Sequence, residues 1–198
     1  MTVRYAALTN VQFLMPETTL TALELQGGET WASLRQAARE ARLYGPGKAN
    51  SQLTILTAVK ARVAGLEPEL VKLLASGSLE ERQLLNLALV TRQKQVLLDF
   101  LAEVVVPAWQ RLHRHVTDAD ARAFLTHKAE QEADVAAWTP ATMQKTRGNL
   151  TRFLQDAGVL KEVRKGEYEM VAQYLTPTIK EAVSQVSPRL ALLLEQLK

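Results

Sequence analysis

The chain has 198 residues, 47% of them hydrophobic, and a formal net charge of +3, so it can bury a core as one compact unit or two small helical lobes. It contains no cysteine, which argues against a disulfide scaffold, a thiolate metal site and a cysteine nucleophile. No apolar run approaches the ~20 residues of a membrane helix, and the first twenty residues do not resemble a signal peptide. We therefore expect a cytoplasmic protein with no membrane segment.

Local signals predict a chain dominated by α-helix. Capping residues or first-turn prolines mark the helix starts, and glycines mark several of the ends. The signals predict helices over residues 15–25, 31–44, 49–64 and 68–77, and another that Ser78 caps. A long helix is then predicted through residues 97–107, reaching 112 at most. Thr117 and Asp120 form a predicted capping box before a helix that ends at Gln131.

Residues 30–65 form a basic zone with six cations, one acid and a local charge of +5. Arg35, Arg39 and Arg42 fall within an arc of about 60° on the predicted helix, and like charges at that spacing repel. We therefore expect something anionic to face them. The partner is either nucleic-acid phosphate or the carboxylates of the acidic middle of the chain.

The candidate catalytic and metal-binding residues have simpler structural explanations. His113 and His115 are two residues apart, which on a helix directs them to different faces, and no zinc motif accompanies them or His127. Asp99 and Glu103 share a helix face, as two carboxylates for acid–base work would, but an ion pair with a base such as Arg62 or Arg92 is the more common arrangement. We expect no enzymatic activity, no metal site and no cofactor.

The most informative segment begins at Trp138. Thr139 and Pro140 predict a helix start, and Gly158 predicts its end. Between them, apolar and small residues recur at spacings of three and four, as on the buried side of a helix. The opposite side carries donors and cations, which suit phosphates and base edges: Gln144, Lys145, Gly148, Asn149, Arg152 and Gln155.

Two β-prone arms follow this helix, around a turn at Gly166. The predicted hairpin presents Lys161, Arg164 and Lys165, and residues 141–165 carry a local charge of +4, more than the whole chain. A helix with a basic outer face followed by a charged hairpin is the layout of a winged helix-turn-helix, which places its recognition helix in the major groove of DNA. An ordinary solvated helix and hairpin is the alternative.

The C-terminal segment predicts two more helices, which begin at the Thr176-Pro177 and Ser187-Pro188 pairs. Four leucines share one face of the last helix and are predicted to belong to the core rather than to a dimer seam: Leu190, Leu193, Leu194 and Leu197. The predicted organisation is an N-terminal helical lobe over residues 1–112 and a C-terminal winged-helix-like lobe over residues 113–198, within a single compact unit.

Several strings of the sequence resemble the BrxA family, the small A subunit of the BREX bacteriophage-exclusion systems. The strings are YAALTNVQFLMPETTLTALELQGG at residues 5–28, AVKARVAGLEPELVKLLASG at 58–77, LLDFLAEVV at 97–105, WTPATMQKTRGNL at 138–150 and FLQDAGVL at 153–160. The resemblance implies an all-helical protein similar to the NusB-like fold, with DNA-binding capacity and a role in phage defence without catalysis.

These observations predict a mainly helical protein that binds duplex DNA without enzymatic activity. Lys145, Asn149 and Arg152 are predicted to face the DNA, with Gln144 as a base-edge reader. The wing cations and a clamp of Arg35, Arg39 and Arg42 are predicted to contact phosphates. An adaptor that docks on other BREX subunits and contacts nucleic acid incidentally is the alternative, and the NusB-like resemblance leaves RNA open as a ligand.

Overall fold

The structure, a computed structural model, describes residues 5–9 and 12–198. Helices form its first half, with these bounds: α1 (Met15–Gln26), α2 (Trp31–Arg39), α3 (Ala49–Val63), α4 (Pro68–Ser76), α5 (Leu79–Gln93), α6 (Gln95–Phe100) and α7 (Val106–Gln110). The second half contains β1 (His115–Thr117), α8 (Asp118–Gln131), α9 (Ala133–Ala136), α10 (Pro140–Asp156), β2 (Leu160–Arg164), β3 (Glu167–Met170), α11 (Pro177–Val186) and α12 (Pro188–Glu195). The predicted fold class, mainly α-helical with a small C-terminal hairpin, is confirmed.

Most helix starts follow the predicted caps. Thr30, Ser78 and Thr117 each form a capping box with the residue three positions later, which satisfies two backbone N–H groups that the helix leaves free. One predicted helix end is wrong, because α2 stops at Arg39 rather than near Tyr44. Ala41 has a φ of 56°, a left-handed conformation that ends a right-handed helix, so Arg42 lies beyond the helix.

The long helix predicted before residue 112 is one helical run of α6, a π-helical turn over Leu101–Val105, and α7. The π-helical turn was not predicted. Pro107 follows it, and proline has no N–H to donate into the preceding turn, so the regular helical bonding pattern is interrupted there.

A three-stranded antiparallel sheet completes the fold, in the order β1-β3-β2. The hairpin of β2 and β3 was predicted, but β1 was not. Val116 of β1 lies opposite Tyr168 of β3, a partner 52 residues later in the chain, and a three-residue strand shows no periodicity of its own. His115 lies in β1, His113 lies just before it, and both side chains are exposed.

One contiguous hydrophobic cluster joins the two halves of the chain. α11 packs against α5, so the C-terminal helices return to the N-terminal half. All four leucines predicted to lie on the inner face of α12 are buried, which confirms them as core. A small second cluster forms between α2 and α3. The division into lobes at residue 112 stays a prediction.

Candidate nucleic-acid interface

α10 forms as the sequence predicts. Thr139 caps it by accepting a hydrogen bond from the Thr142 backbone N–H at 3.2 Å, and Pro140 occupies the first turn. The inner side packs into the core through Thr146, Leu150, Phe153 and Leu154, all buried. The helix ends before Gly158, whose φ of 72° is a conformation that glycine adopts without strain.

The outer side of α10 is accessible. Gln144, Lys145, Gly148 and Arg152 are all exposed. The Arg152 side chain is 72% exposed and its Nε lies 4.0 Å from the Asp156 carboxylate, a contact at the outer limit of an ion pair that water largely screens. Lys145 makes no ion pair within the described part of the chain. Two cations are thus available to an anionic ligand along two turns of helix.

Asn149 is more recessed than the sequence predicts. It is half-buried, and its amide nitrogen donates to the backbone carbonyl of Leu8. The Leu8 N–H in turn donates to the Thr146 hydroxyl at 3.3 Å. The N-terminal segment therefore lies along one flank of α10, and the Asn149 amide nitrogen is committed to holding it there. Within the described part of the chain, Oδ1 and the second N–H of Asn149 make no hydrogen bond to the protein.

Beside this contact, a groove of about 1010 Å³ lies between α10 and the part of the N-terminal segment that follows Leu8. We call it the α10 groove. α10 lines one side of it with Lys145, Asn149, Arg152, Phe153, Gln155 and Asp156. Thr9 and residues 12–17 line the other side, and Thr54 of α3 and Gln83 of α5 complete the lining. The groove places side chains from both halves of the chain beside the predicted DNA-contacting residues.

The wing is less basic than the sequence count indicates. Arg164 forms an ion pair with Glu167 across the turn, and Lys161 lies opposite Glu169 in the β2–β3 ladder. The hairpin residues 160–170 contain three cations and three acids, so their net charge is zero. The local charge of +4 was summed over residues 141–165 and so excluded the acids of β3. The antiparallel pairing of β2 with β3 places these acids beside the cations. Lys165 is exposed at the tip.

The wing tip is held against the start of α8. The Asp118 backbone N–H donates to the Gly166 carbonyl at 3.0 Å, and the Tyr168 hydroxyl donates to the Asp118 carboxylate at 3.1 Å. Gly166 has a φ of 75°, and its α-carbon lies close to Asp118. These contacts fix the hairpin relative to the α8–α10 pair.

The predicted arginine clamp is only partly assembled. Arg35 and Arg39 are exposed on α2, and neither forms an ion pair with a carboxylate of the described residues. Arg42 lies outside the helix and pairs with Glu40, which also lowers the pKa of the Glu40 carboxyl. The acidic middle of the chain does not cover Arg35 and Arg39, so two of the three arginines remain accessible.

Asp99 and Glu103 form a structural ion-pair network, as expected, but the predicted partners Arg62 and Arg92 are wrong. The buried Lys128 of α8 lies 2.6 Å from Glu103 and 3.4 Å from Asp99, and Arg189 lies 2.9 Å from Asp99. Arg62 instead donates to the backbone carbonyls of residues 12 and 13, an arrangement that sequence spacing does not reveal.

The pKa values at this network follow from burial and hydrogen bonding. Burial, and then the hydrogen bond that the Tyr5 hydroxyl donates to Asp99, raise the pKa of Tyr5 to about 12. Burial alone would raise the pKa of Asp99, but hydrogen bonds from Tyr5 and Gln95 and the charges of two cations outweigh it and lower that pKa. Asp99 is therefore a stable anion and a poor proton carrier at neutral pH.

No group of three or more His, Asp or Glu side chains among the described residues is placed to hold a metal ion. Across the same residues, none of the helices combines the length and the apolar character needed to cross a bilayer.

Comparison with known proteins places the chain in a family. The BrxA family model matches residues 5–187. A curated relative, "BREX protein BrxA" of Bacillus cereus (strain H3081.97), is 27% identical over 129 residues. The alignment covers 65% of this chain and 64% of that protein, so the chain aligns with just under two thirds of the relative's length. A crystal structure of an uncharacterized protein from Magnetospirillum magneticum matches the fold with a TM-score of 0.79 at 18% identity, over 99% of this chain and 100% of that one. The match across residues 5–187 shows that this chain belongs to the BrxA family.

Proposed function

We propose that this protein is a non-enzymatic, duplex-DNA-binding component of a BREX-type bacteriophage defence system. The observation that carries the proposal is the exposed side of α10, where Lys145, Arg152 and Gln144 stand free of the fold. Family membership supports the link to BREX, and the same resemblance supports a role without catalysis.

The arrangement of α8, α10 and the sheet supports a winged helix-turn-helix mode of binding. α10 packs across α8, and the β2–β3 hairpin follows α10 directly and is fixed to the start of α8. In this mode the second helix enters the major groove. Lys145 and Arg152 then contact phosphates on either side of the groove, and Gln144 contacts a base edge.

The other predicted contacts contribute to different degrees. Arg35 and Arg39 form no ion pair with a carboxylate of the residues that the structure describes, and they form a second phosphate contact. Arg42 and the wing residue Arg164 must each give up an ion pair before binding DNA. Lys161 and Lys165 are exposed but belong to a hairpin of zero net charge. We therefore expect α10 to dominate affinity and the wing mainly to orient the duplex.

Fluorescence anisotropy of a labelled duplex across a salt series tests the proposal. Each phosphate contact adds about 0.9 to the slope of log affinity against log salt, so Lys145→Ala/Arg152→Ala should lower the slope by about 1.8 if both cations contact phosphates. Lys72→Ala/Arg111→Ala is the matched control, because it removes two exposed cations from other surfaces. A wild type that does not bind duplex at low salt contradicts the proposal.

A docking role on other BREX subunits is the second candidate function. Three large apolar side chains, Leu112, Tyr174 and Leu192, are 76%, 82% and 62% exposed. Residues near them in sequence join the end of α7 to the C-terminus: Gln110 Nε2 donates to Gln196 Oε1 at 2.7 Å, and the Gln173 N–H donates to the Leu197 carbonyl at 2.8 Å. Copurification of the BREX subunits with the wild type and with Tyr174→Ser/Leu192→Ser tests this role. If the variant retains every subunit that the wild type binds, the surface is not a docking site.

A further inference from the structure

The α10 groove contains half-buried polar side chains, set back from the exposed side of α10. The major groove of a DNA duplex is about 12 Å wide and accepts an α-helix. A duplex bound in this way contacts the outermost side chains of the helix. Asn149, Gln155 and Gln83 are half-buried and lie between α10 and a facing wall. We therefore expect a ligand thinner than a duplex to contact them more readily than a duplex does.

The amides of the groove are held in fixed orientations. Asn149 Nδ2 donates to the Leu8 carbonyl, and Gln83 Nε2 donates to the Asp156 carbonyl at 2.9 Å. Each amide therefore keeps its oxygen as a free acceptor with a defined direction. Amide oxygens of this kind can accept hydrogen bonds from the amino groups of nucleobases, such as N6 of adenine and N4 of cytosine.

The charges of the groove suit bases and single phosphates better than a dense polyanion. Lys145 and Arg152 line it two helical turns apart, and Glu17 and Asp156 line it as well. Carboxylates repel phosphates but accept hydrogen bonds from the amino group of cytosine. Burial raises the pKa of the Asp156 carboxyl, and the charge of Arg152 acts against that shift.

The size and floor of the groove fit a nucleotide. Its volume of about 1010 Å³ is at the upper end of what encloses a small organic ligand. Its floor is apolar but formed by Phe13 and Phe153, which are only 4% and 1% exposed, so the apolar surface within reach of a base is at the edge, where Met15 is partly exposed. Flat bases pack on apolar and aromatic surfaces in proteins that hold single strands.

We propose that the α10 groove binds unpaired nucleotides of a strand that leaves the duplex bound on α10. The preferred ligand is then a duplex with an unpaired extension or an opened end, rather than a fully paired duplex. This inference rests on the proposed function, since it takes the duplex on α10 as the neighbour of the unpaired strand.

Anisotropy with two probes tests the inference: a blunt duplex and the same duplex with a short unpaired extension. The wild type should bind the extended probe about fivefold more tightly or better, roughly what one net hydrogen bond to the groove amides contributes. Thr54→Trp should remove this preference by filling the groove, and leave blunt-duplex affinity unchanged, because Thr54 lies on α3 and not on α10.

Thr57→Trp is the matched control. Both threonines are exposed on α3, and each hydroxyl donates to a backbone carbonyl four residues earlier, but only Thr54 lines the groove. Thr57→Trp should keep the preference. As a second readout, 2-aminopurine at the first unpaired position should change its emission when wild-type protein binds, and not when Thr54→Trp binds.

Each outcome separates the two proposals. Equal wild-type affinity for the two probes, or a preference that survives Thr54→Trp, overturns the groove inference and leaves duplex binding in place. Failure to bind either probe overturns the proposed function and the inference together.

Discussion

Gly148 is exposed on α10, between Lys145 and Arg152, and we expect its replacement by alanine to raise stability and to weaken the proposed binding of duplex DNA. A β-carbon built on Gly148 meets no atom within 4 Å, and the residue lies within a regular helix, so alanine fits without strain. Alanine is favoured over glycine in a helix interior by about 1 kcal/mol, partly because glycine loses more backbone entropy on folding. We expect the free energy of unfolding to rise by about 1 kcal/mol.

Urea unfolding followed by circular dichroism measures this change, with an unchanged m-value as the sign that the unfolding transition itself is unaltered. The melting temperature should rise by about 2–4 °C for a domain of this size. Gly77→Ala is the contrasting variant, because its β-carbon would lie 2.6 Å from the Leu73 carbonyl oxygen, and it should destabilise the fold. A Gly148→Ala protein that is less stable than the wild type would refute the description of α10 as a regular, solvent-facing helix at this position.

The same variant reports on the interface. If DNA approaches the crest of α10 closely, the added methyl group separates the duplex from Lys145 and Arg152, and duplex affinity should fall although the protein is more stable. An affinity equal to that of the wild type would mean that no DNA backbone or base edge approaches this position, and that the glycine has no role in binding.

The buried network around Asp99 yields two further predictions. Asp99→Asn leaves the buried Lys128 with Glu103 as its remaining carboxylate partner. Breaking a buried pair costs about 3–5 kcal/mol, so the free energy of unfolding measured in urea should fall by about 3 kcal/mol. A loss below about 0.5 kcal/mol would contradict the burial of this pair. Because the pKa of Tyr5 is raised to about 12, folding keeps its hydroxyl protonated. The stability that this contributes is present below the unfolded value of 10.0 and is lost as pH rises from there to about 12, since the unfolded chain releases the proton first. Tyr5→Phe should therefore flatten the stability profile over that range, and an unchanged slope would show that Tyr5 titrates normally.

The helices of this protein were predictable because their signals are local. A cap such as Thr139 acts on N–H groups three residues away, and Gly158 ends α10 through its own φ angle, so both effects are visible in a short stretch of sequence. The buried and exposed sides of α10 follow from a 3.6-residue period for the same reason. α2 is the exception: the left-handed turn at Ala41 has no glycine or asparagine to announce it.

The site was predictable only in part. Lys145, Arg152 and Gln144 are exposed as expected because nothing remote packs on that side of α10. Asn149 was assigned to the same surface, but it holds Leu8, which is 141 residues earlier in the chain. The charge of the wing likewise depends on the pairing of β2 with β3, which sets Glu167 and Glu169 beside cations.

The sequence by itself determined where the helices start, which side of each is apolar, and that positive charge concentrates on α2 and α10, because these properties depend on neighbours within one or two helical turns. Only the tertiary structure decided that β1 joins the hairpin, that Lys128 and not Arg62 neutralises Asp99, and that the N-terminal segment walls a groove beside α10. These contacts join residues far apart in the chain, and their partners are selected by the packing of the whole core rather than by any local preference.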